Sequence, residues 1–243
     1  MNSIARALLG RNNGFGLRPQ GANNKSPLPA KGKGASWPIG YRANRIMEAC
    51  GRYDQDMLGD GRCGFYGIFA NLHLEYRGTT LAHESQGGNR NIHEKVKKQI
   101  EKLKAQAGLR RWSRGRVGNY CLDSDMFPAI AGHYGRAVVS FGVGLNGRHG
   151  LGGTYVDIAI PGLSSAISIA DLDASFFKRA AELANFNGHD LEIIGRYFRP
   201  YNLNGRSTIA EVATRLLRDQ TTIGLLHHGS HFHAMLPKKP AWN

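Results

Sequence analysis

Residues 59–69 read GDGRCGFYGIF, an acid and a glycine in a turn, then a cysteine directly ahead of an apolar run. A thiolate held at the start of a helix can attack a carbonyl carbon, and the positive end of the helix dipole favours it there. A helix N-terminus together with a nearby imidazolium lowers a thiol pKa from about 8.5 to about 3.5–7.5. The plain alternative is a turn at Asp60 and Gly61 followed by a small buried hydrophobe at Cys63. One cysteine does not decide between them; a base is needed. Residues 230–237, SHFHAMLP, offer His231 and His233. In this chemistry His231 takes the thiol proton and returns one to the leaving amine. The backbone N–H groups of Gly61, Arg62 and Cys63 are the expected oxyanion donors, each worth roughly 3–4 kcal/mol.

These groups must be carried by elements that bring them together. Phe65, Ile68, Phe69, Leu72 and Tyr76 recur at helical spacing, so a helix is expected over 63–76. Further helices are expected over 91–107, with lysines outward, over 124–134 behind a Ser124 cap, over 173–186, and over 207–218 behind a Ser207 cap. Residues 191–198, LEIIGRYF, are ambiguous. Buried strands are expected at 136–144 and 154–160. Residues 221–229 and 230–237 read as a hairpin joined by a Gly-Ser turn. Alternation along the last strand puts His231 and His233 on one face, facing a cleft, with Phe232, Ala234 and Leu236 toward the core. Helices come mostly early and strands mostly late, which implies an α/β or α+β domain with a small central sheet flanked by helices.

The 243 residues are 41% hydrophobic, enough for one good-sized core with appendages. Three cysteines, Cys50, Cys63 and Cys121, form no disulfide framework and no CxxC pair, which points to a reducing compartment. No apolar run approaches the roughly 18 residues of a membrane span. The apolar patch at 4–9 is broken by Arg6 and is too short for a Sec signal core, so the chain reads as soluble. The net charge of +14 is concentrated. Residues 1–45 hold eight Lys and Arg and no acid, and residues 90–116 hold ten basic residues against Glu94 and Glu101. Gly, Asn, Pro and Lys dominate 10–37, so residues 1–40 read as a flexible basic segment, with the folded domain at 41–243.

Taken together, GDGRCGFYGIF resembles the catalytic-cysteine motif of the ovarian-tumour (OTU) family of deubiquitinases, Asp-Gly-x-Cys before an aromatic-rich helix. HFHAML resembles the family's closing strand, and DSDMFPAIAGHYGRAVVSF resembles the helix–turn–strand unit between the two. The three occur in the family's order over roughly 60–237, with about forty residues carrying motif-level similarity. The chain departs from the pattern at Arg62, where Asn is usual, at Gly64, where a bulky residue is usual, and at His233, where Asp or Asn is frequent.

The resemblance implies an OTU-like, papain-type cysteine protease fold. It also implies thiol-dependent hydrolysis after the C-terminal Gly-Gly of ubiquitin or a ubiquitin-like modifier, with ubiquitin or polyubiquitin as partner and no cofactor or metal. A narrow channel passing only Gly-Gly gives specificity by exclusion. Cys63 is the implied nucleophile and His231 the base. Asp60 is implied as a site residue that holds the cysteine loop or orients His231, and His233 is an orienter by position alone. Asp54 and Asp56, in the segment before Cys63, are weaker candidates for orienting His231, with a plain solvent-facing position as the alternative. A basic leader without a Sec signal suits an effector exported into a host cytosol by a specialised secretion machine.

Three other readings compete. His227, His228, His231 and His233 share the last two strands, but no nearby acid or cysteine completes a metal-ligand set in the sequence. A nucleic-acid-binding protein would use 1–45 and 90–116, where Trp112 sits among arginines, and would bind with steep salt dependence after Cys63→Ala. An inactive OTU-like scaffold would bind ubiquitin without cleaving it; the presence of both Cys63 and His231 speaks against it.

Overall fold

The computed structural model describes residues 41–77, 81, 90–109, 122–143, 154–183, 187–228 and 231–238. The expected flexible segment at 1–40, Trp112 with its arginines, Cys121, the glycine-rich loop at 145–153 and the Gly-Ser turn at 229–230 lie outside the described residues.

The apolar spacing after Cys63 yields α2 (Cys63–Leu72), preceded by α1 (Tyr41–Ala49) and β1 (Arg52–Asp56). The first nine residues of α2 are all buried, as in a helix enclosed on every side. It ends at Leu72, short of the expected 76, and a 3-10 turn at Leu74–Tyr76 follows. The lysine-rich helix α3 (Arg90–Gln106) buries Val96, Ile100 and Leu103. Its Lys104 is also buried, with its ammonium over the Phe65 ring and beside Glu101. Ser124 opens a 3-10 turn, and α4 (Phe127–Tyr134) begins after it with Pro128 in the first turn, where no N–H is missed.

The chain continues through β2 (Val138–Val143), β3 (Thr154–Ala159), β4 (Ile167–Ile169), α5 (Phe176–Glu182), α6 (Gly188–Phe198), α7 (Ile209–Arg218), β5 (Ile223–His228) and β6 (His231–Pro237). The ambiguous 191–198 segment belongs to α6. Its start is set by a capping box, in which Asn187 accepts from the Asp190 backbone and Asp190 accepts from that of Asn187. The cap of α7 is Thr208, paired reciprocally with Glu211. Ser207 instead accepts the Asn204 N–H through its hydroxyl and gives its carbonyl to Phe176.

The fold is mixed α/β, with one six-stranded sheet in the order β1-β6-β5-β2-β3-β4. β2 and β5 run parallel and every other neighbouring pair is antiparallel. On one face, Val138, Leu225, Phe232 and Ala234 pack against α2, α3 and α4. On the other, Val139, Phe141, Val156, Leu226 and Met235 pack against α5, α6 and α7. Each fully buried valine, leucine, methionine or phenylalanine among these contributes roughly 1.5–3 kcal/mol. Among the described residues no helix is long and apolar enough to cross a membrane.

Arg52 fastens β1 to this frame. Its side chain is buried, and all five of its N–H donors are used. They go to the carbonyls of Leu217, Met235, Asp219 and Thr222 and to Asn71 Oδ1. The pairing of β5 with β6 runs from Leu225 to His228. At the next position Asn71, near the end of α2, donates to the Gly224 carbonyl and accepts its N–H. A side-chain amide thus stands in for a backbone rung and ties α2 to the sheet.

Candidate active site

Cys63 is the first residue of α2, 5% exposed, and the β6 backbone comes to it: the Phe232 N–H donates to Sγ at 3.3 Å. A donor aimed at the sulfur suits one that carries negative charge. His231, at the start of β6, lies near enough to Cys63 for the sulfur to act on its imidazole. Its Nε2 lies 2.7 Å from Asp56 Oδ1, which leaves Nδ1 for the sulfur. Cys63 is the largest influence on His231. It raises the imidazole pKa above its ordinary value against the opposing effect of burial, and the Asp56 bond adds to the rise.

Asp56 reaches His231 because β1 is the antiparallel neighbour of β6 and Asp56 stands directly opposite His233. Of the two readings of these acids, the solvent-facing one is corrected: Asp56 meets His231 and Asp54 meets His233. β1 alternates, so Arg52, Asp54 and Asp56 share one face. His233 is 1% exposed; it does not line a cleft. Its Nδ1 lies 3.0 Å from Asp54 Oδ1, its Nε2 lies 3.2 Å from Asp56 Oδ1, and its ring meets that of His231 edge-on at 5.2 Å. The carboxylate on the outer nitrogen of His231 is Asp56, and His233 stands behind it. The sequence carries only a faint signal for this pair, the Asp-x-Asp spacing of residues 54–56.

Asp60 shapes the cysteine loop. Its Oδ1 accepts the Arg62 N–H at 3.0 Å, and its Oδ2 accepts from Arg62 Nη1 at 2.9 Å and the Tyr66 hydroxyl at 2.8 Å. Burial pushes its pKa up, but the Tyr66 and Arg62 bonds outweigh this and hold it below the usual carboxylate value. The Arg62 N–H is consequently committed within the turn, which removes it from the expected oxyanion donors. The Cys63 N–H, at the head of α2, and the Gly61 N–H remain. Gly61 has φ +81, a left-handed conformation that the turn requires.

Gly64, where the OTU motif usually has a bulky residue, is explained by close approach. A Cβ there would lie 2.5 Å from Leu122 Cβ and 3.1 Å from the Phe232 ring. Leu122 and Phe232 occupy the space that a bulky residue would fill.

The acid that the sequence lacked beside its histidines is Asp56. One ligand atom each from Asp56, His231 and His233 lies within 4.8 Å of the others, and these three side chains could hold a metal ion. The 2.7 Å contact between His231 and Asp56 is that of a hydrogen bond, so a metal would have to displace its proton. Among the described residues, Cys50 is the other free thiol. Its Sγ donates to the Thr214 carbonyl at 3.4 Å, and burial pushes its pKa up. It has the character of a packed thiol rather than a nucleophile.

No family model, no curated protein and no solved structure matches this chain.

Proposed function

We propose that the chain is a cysteine-type deubiquitinase with an OTU-like fold, hydrolysing the bond after the C-terminal Gly-Gly of ubiquitin or a ubiquitin-like modifier. The carrying observation is Cys63 at the head of the enclosed helix α2, beside His231, whose outer nitrogen is held by Asp56 at 2.7 Å. A thiol, an imidazole and a carboxylate set in this order support the roles of nucleophile, base and orienter. The order of motifs along the chain, Cys before His with the helix–strand unit between, supports the family reading.

In this mechanism Sγ attacks the carbonyl carbon of the terminal glycine while His231 holds the thiol proton. The tetrahedral oxyanion faces the Cys63 and Gly61 N–H groups. Collapse breaks the C–N bond, and His231 protonates the departing amine. Water then gives a proton to His231 and attacks the thioester, releasing the carboxylate and regenerating the thiol. Asp56 keeps the His231 ring in one tautomer and orientation throughout.

Incubation with ubiquitin bearing a C-terminal electrophile tests the reading. A covalent adduct on Cys63 is expected, absent in Cys63→Ala and slowed in His231→Ala. A wild-type protein that stays unmodified overturns it.

A further inference from the structure

The sheet face that carries Cys63 has a second polar feature, separated from the sulfur by Phe232. It is a cavity of about 610 Å³ bounded by β2–β5, Phe232 and the turn at Leu122–Ser124. Phe232 belongs to both places: its N–H meets Sγ, and its ring stacks on His227 in the cavity wall at 4.1 Å.

The floor is a row across three strands, with Ser140 opposite Asp157 and Asp157 opposite Ser168. Asp157 is 3% exposed and accepts from the Ser168 hydroxyl. Among the described residues it has no cationic partner within ion-pair distance. Burial first, then the nearby Asp123 and Asp125, raise its pKa to about 6. Among the described residues the Ser140 hydroxyl, 1% exposed, has no hydrogen-bond partner. A buried carboxylate short of positive charge, beside an unpaired buried hydroxyl, marks a place that an outside donor completes. The second row is Tyr155, Gly142 and His227. Gly142 lacks the Cβ that would lie 1.7 Å from Tyr155 Cζ, so the tyrosine lies across the strand and its hydroxyl bonds His227 at 2.9 Å. Leu122, Phe127, Ile169 and the Phe232 ring supply apolar wall.

We propose that this cavity is a subsite for an arginine side chain of the polypeptide substrate, the guanidinium on Asp157 and Ser140 and the aliphatic stem along Phe232 and Phe127. The assignment to a substrate rests on the thiol-hydrolase reading of Cys63. The chemistry of the pocket does not. A planar, weakly hydrated cation with several donors suits two carboxylate oxygens and a hydroxyl set in a row. An apolar-walled cavity suits a stem that carries such a head.

The test uses the full chain with Cys63→Ala, so that no turnover is needed, and titrates N-acetyl-arginine amide and its neutral isostere N-acetyl-citrulline amide, followed by NMR. Saturable arginine binding at least tenfold tighter than citrulline is expected, with shifts at Tyr155 and Ser140. Asp157→Asn should abolish the preference, and Ser140→Val should weaken arginine binding several-fold; the Ser140 variant decides the matter if Asp157→Asn fails to fold. Absence of saturable binding, equal affinity for the two amides, or an unchanged preference in the variants overturns the proposal. Failure of the ubiquitin electrophile with arginine binding intact would sink the hydrolase reading and leave the pocket standing. The reverse result would remove the pocket alone.

Discussion

Arg52 and Asp157 are both buried charges on strands of the same sheet, and their surroundings are opposite. Arg52 places all five donors on neutral oxygens of α2, α7, β6 and the approach to β5. Burial lowers its pKa only to about 10, so it stays charged at neutral pH. Asp157 has the Ser168 hydroxyl, an unpaired Ser140 hydroxyl nearby, and two further acids close enough to oppose its ionisation. Burial alone therefore does not assign a role. A buried charge with every hydrogen bond made joins elements, whereas one left short of compensation is a place where a ligand binds.

Removing Arg52 should give the largest effect. Arg52→Met removes a donor from four backbone carbonyls and from the Asn71 amide oxygen, of which Asp219 keeps the Thr222 N–H and Asn71 keeps the Gly224 N–H, and should lower unfolding free energy by about 3–5 kcal/mol in a denaturant titration. Arg52→Lys, with three donors in place of five, should recover only part of this. A loss under about 1 kcal/mol would break the contrast from the Arg52 side.

Asp56 lies between the extremes, half-buried and shared by two imidazoles. Asp56→Ala should slow modification of Cys63 by the ubiquitin electrophile by about 10²-fold. It should also return the His231 titration, followed by NMR, toward its ordinary value. The raised His231 pKa favours the imidazolium in the folded state. Its contribution to stability is thus fully present below the unfolded value of about 6.5 and is lost as pH rises through the folded one. The stability gap between wild type and His231→Gln should narrow from pH 6 to pH 9. A gap that widens would contradict the pull of Cys63 and Asp56 on the imidazole.

Asp157→Asn should act with the opposite sign to the Arg52 variants. A carboxyl raised to about 6 contributes stability while protonated, below its unfolded pKa near 3.8, and loses it as pH rises through the folded value. The asparagine protein should therefore be more stable than wild type at pH 7.5, on the order of 2–3 kcal/mol, with the difference gone below pH 4. An asparagine variant less stable at pH 7.5 would mean that Asp157 is compensated after all. The smallest effect belongs to Gly142→Ala, which must push the Tyr155 ring aside. About 1 kcal/mol of destabilisation and a weakened Tyr155 contact to His227 are expected, read by thermal unfolding and by the His227 NMR signal.

Much of the frame is legible in the sequence, since α2, α3 and α7 bury residues at helical spacing and β2, β3, β5 and β6 are apolar runs between breakers. β1 is not legible: in RYDQD only Tyr53 is apolar, because one face of the strand carries Arg52 and the two acids. β4 has only three residues, and α6 needed its Asn187–Asp190 cap to be recognised. The same blind spot left Asp56 only a weaker candidate for the orienting role. Its nearness to His231 comes from the pairing of β1 with a strand at the other end of the chain, and no local pattern reports such a register. Arg62 shows the converse limit: its position predicts a free N–H, but the side chain two residues earlier takes it.

Local chemistry determined that a cysteine would head a helix and that two histidines would share one side of the last strand, because turn residues and side-chain periodicity act over a few residues. Only the tertiary structure decided which carboxylate meets His231, which N–H groups stay open, and where a buried acid is left uncompensated. Those outcomes depend on atoms brought together from distant parts of the chain, where hydrogen bonds are made or missed one partner at a time.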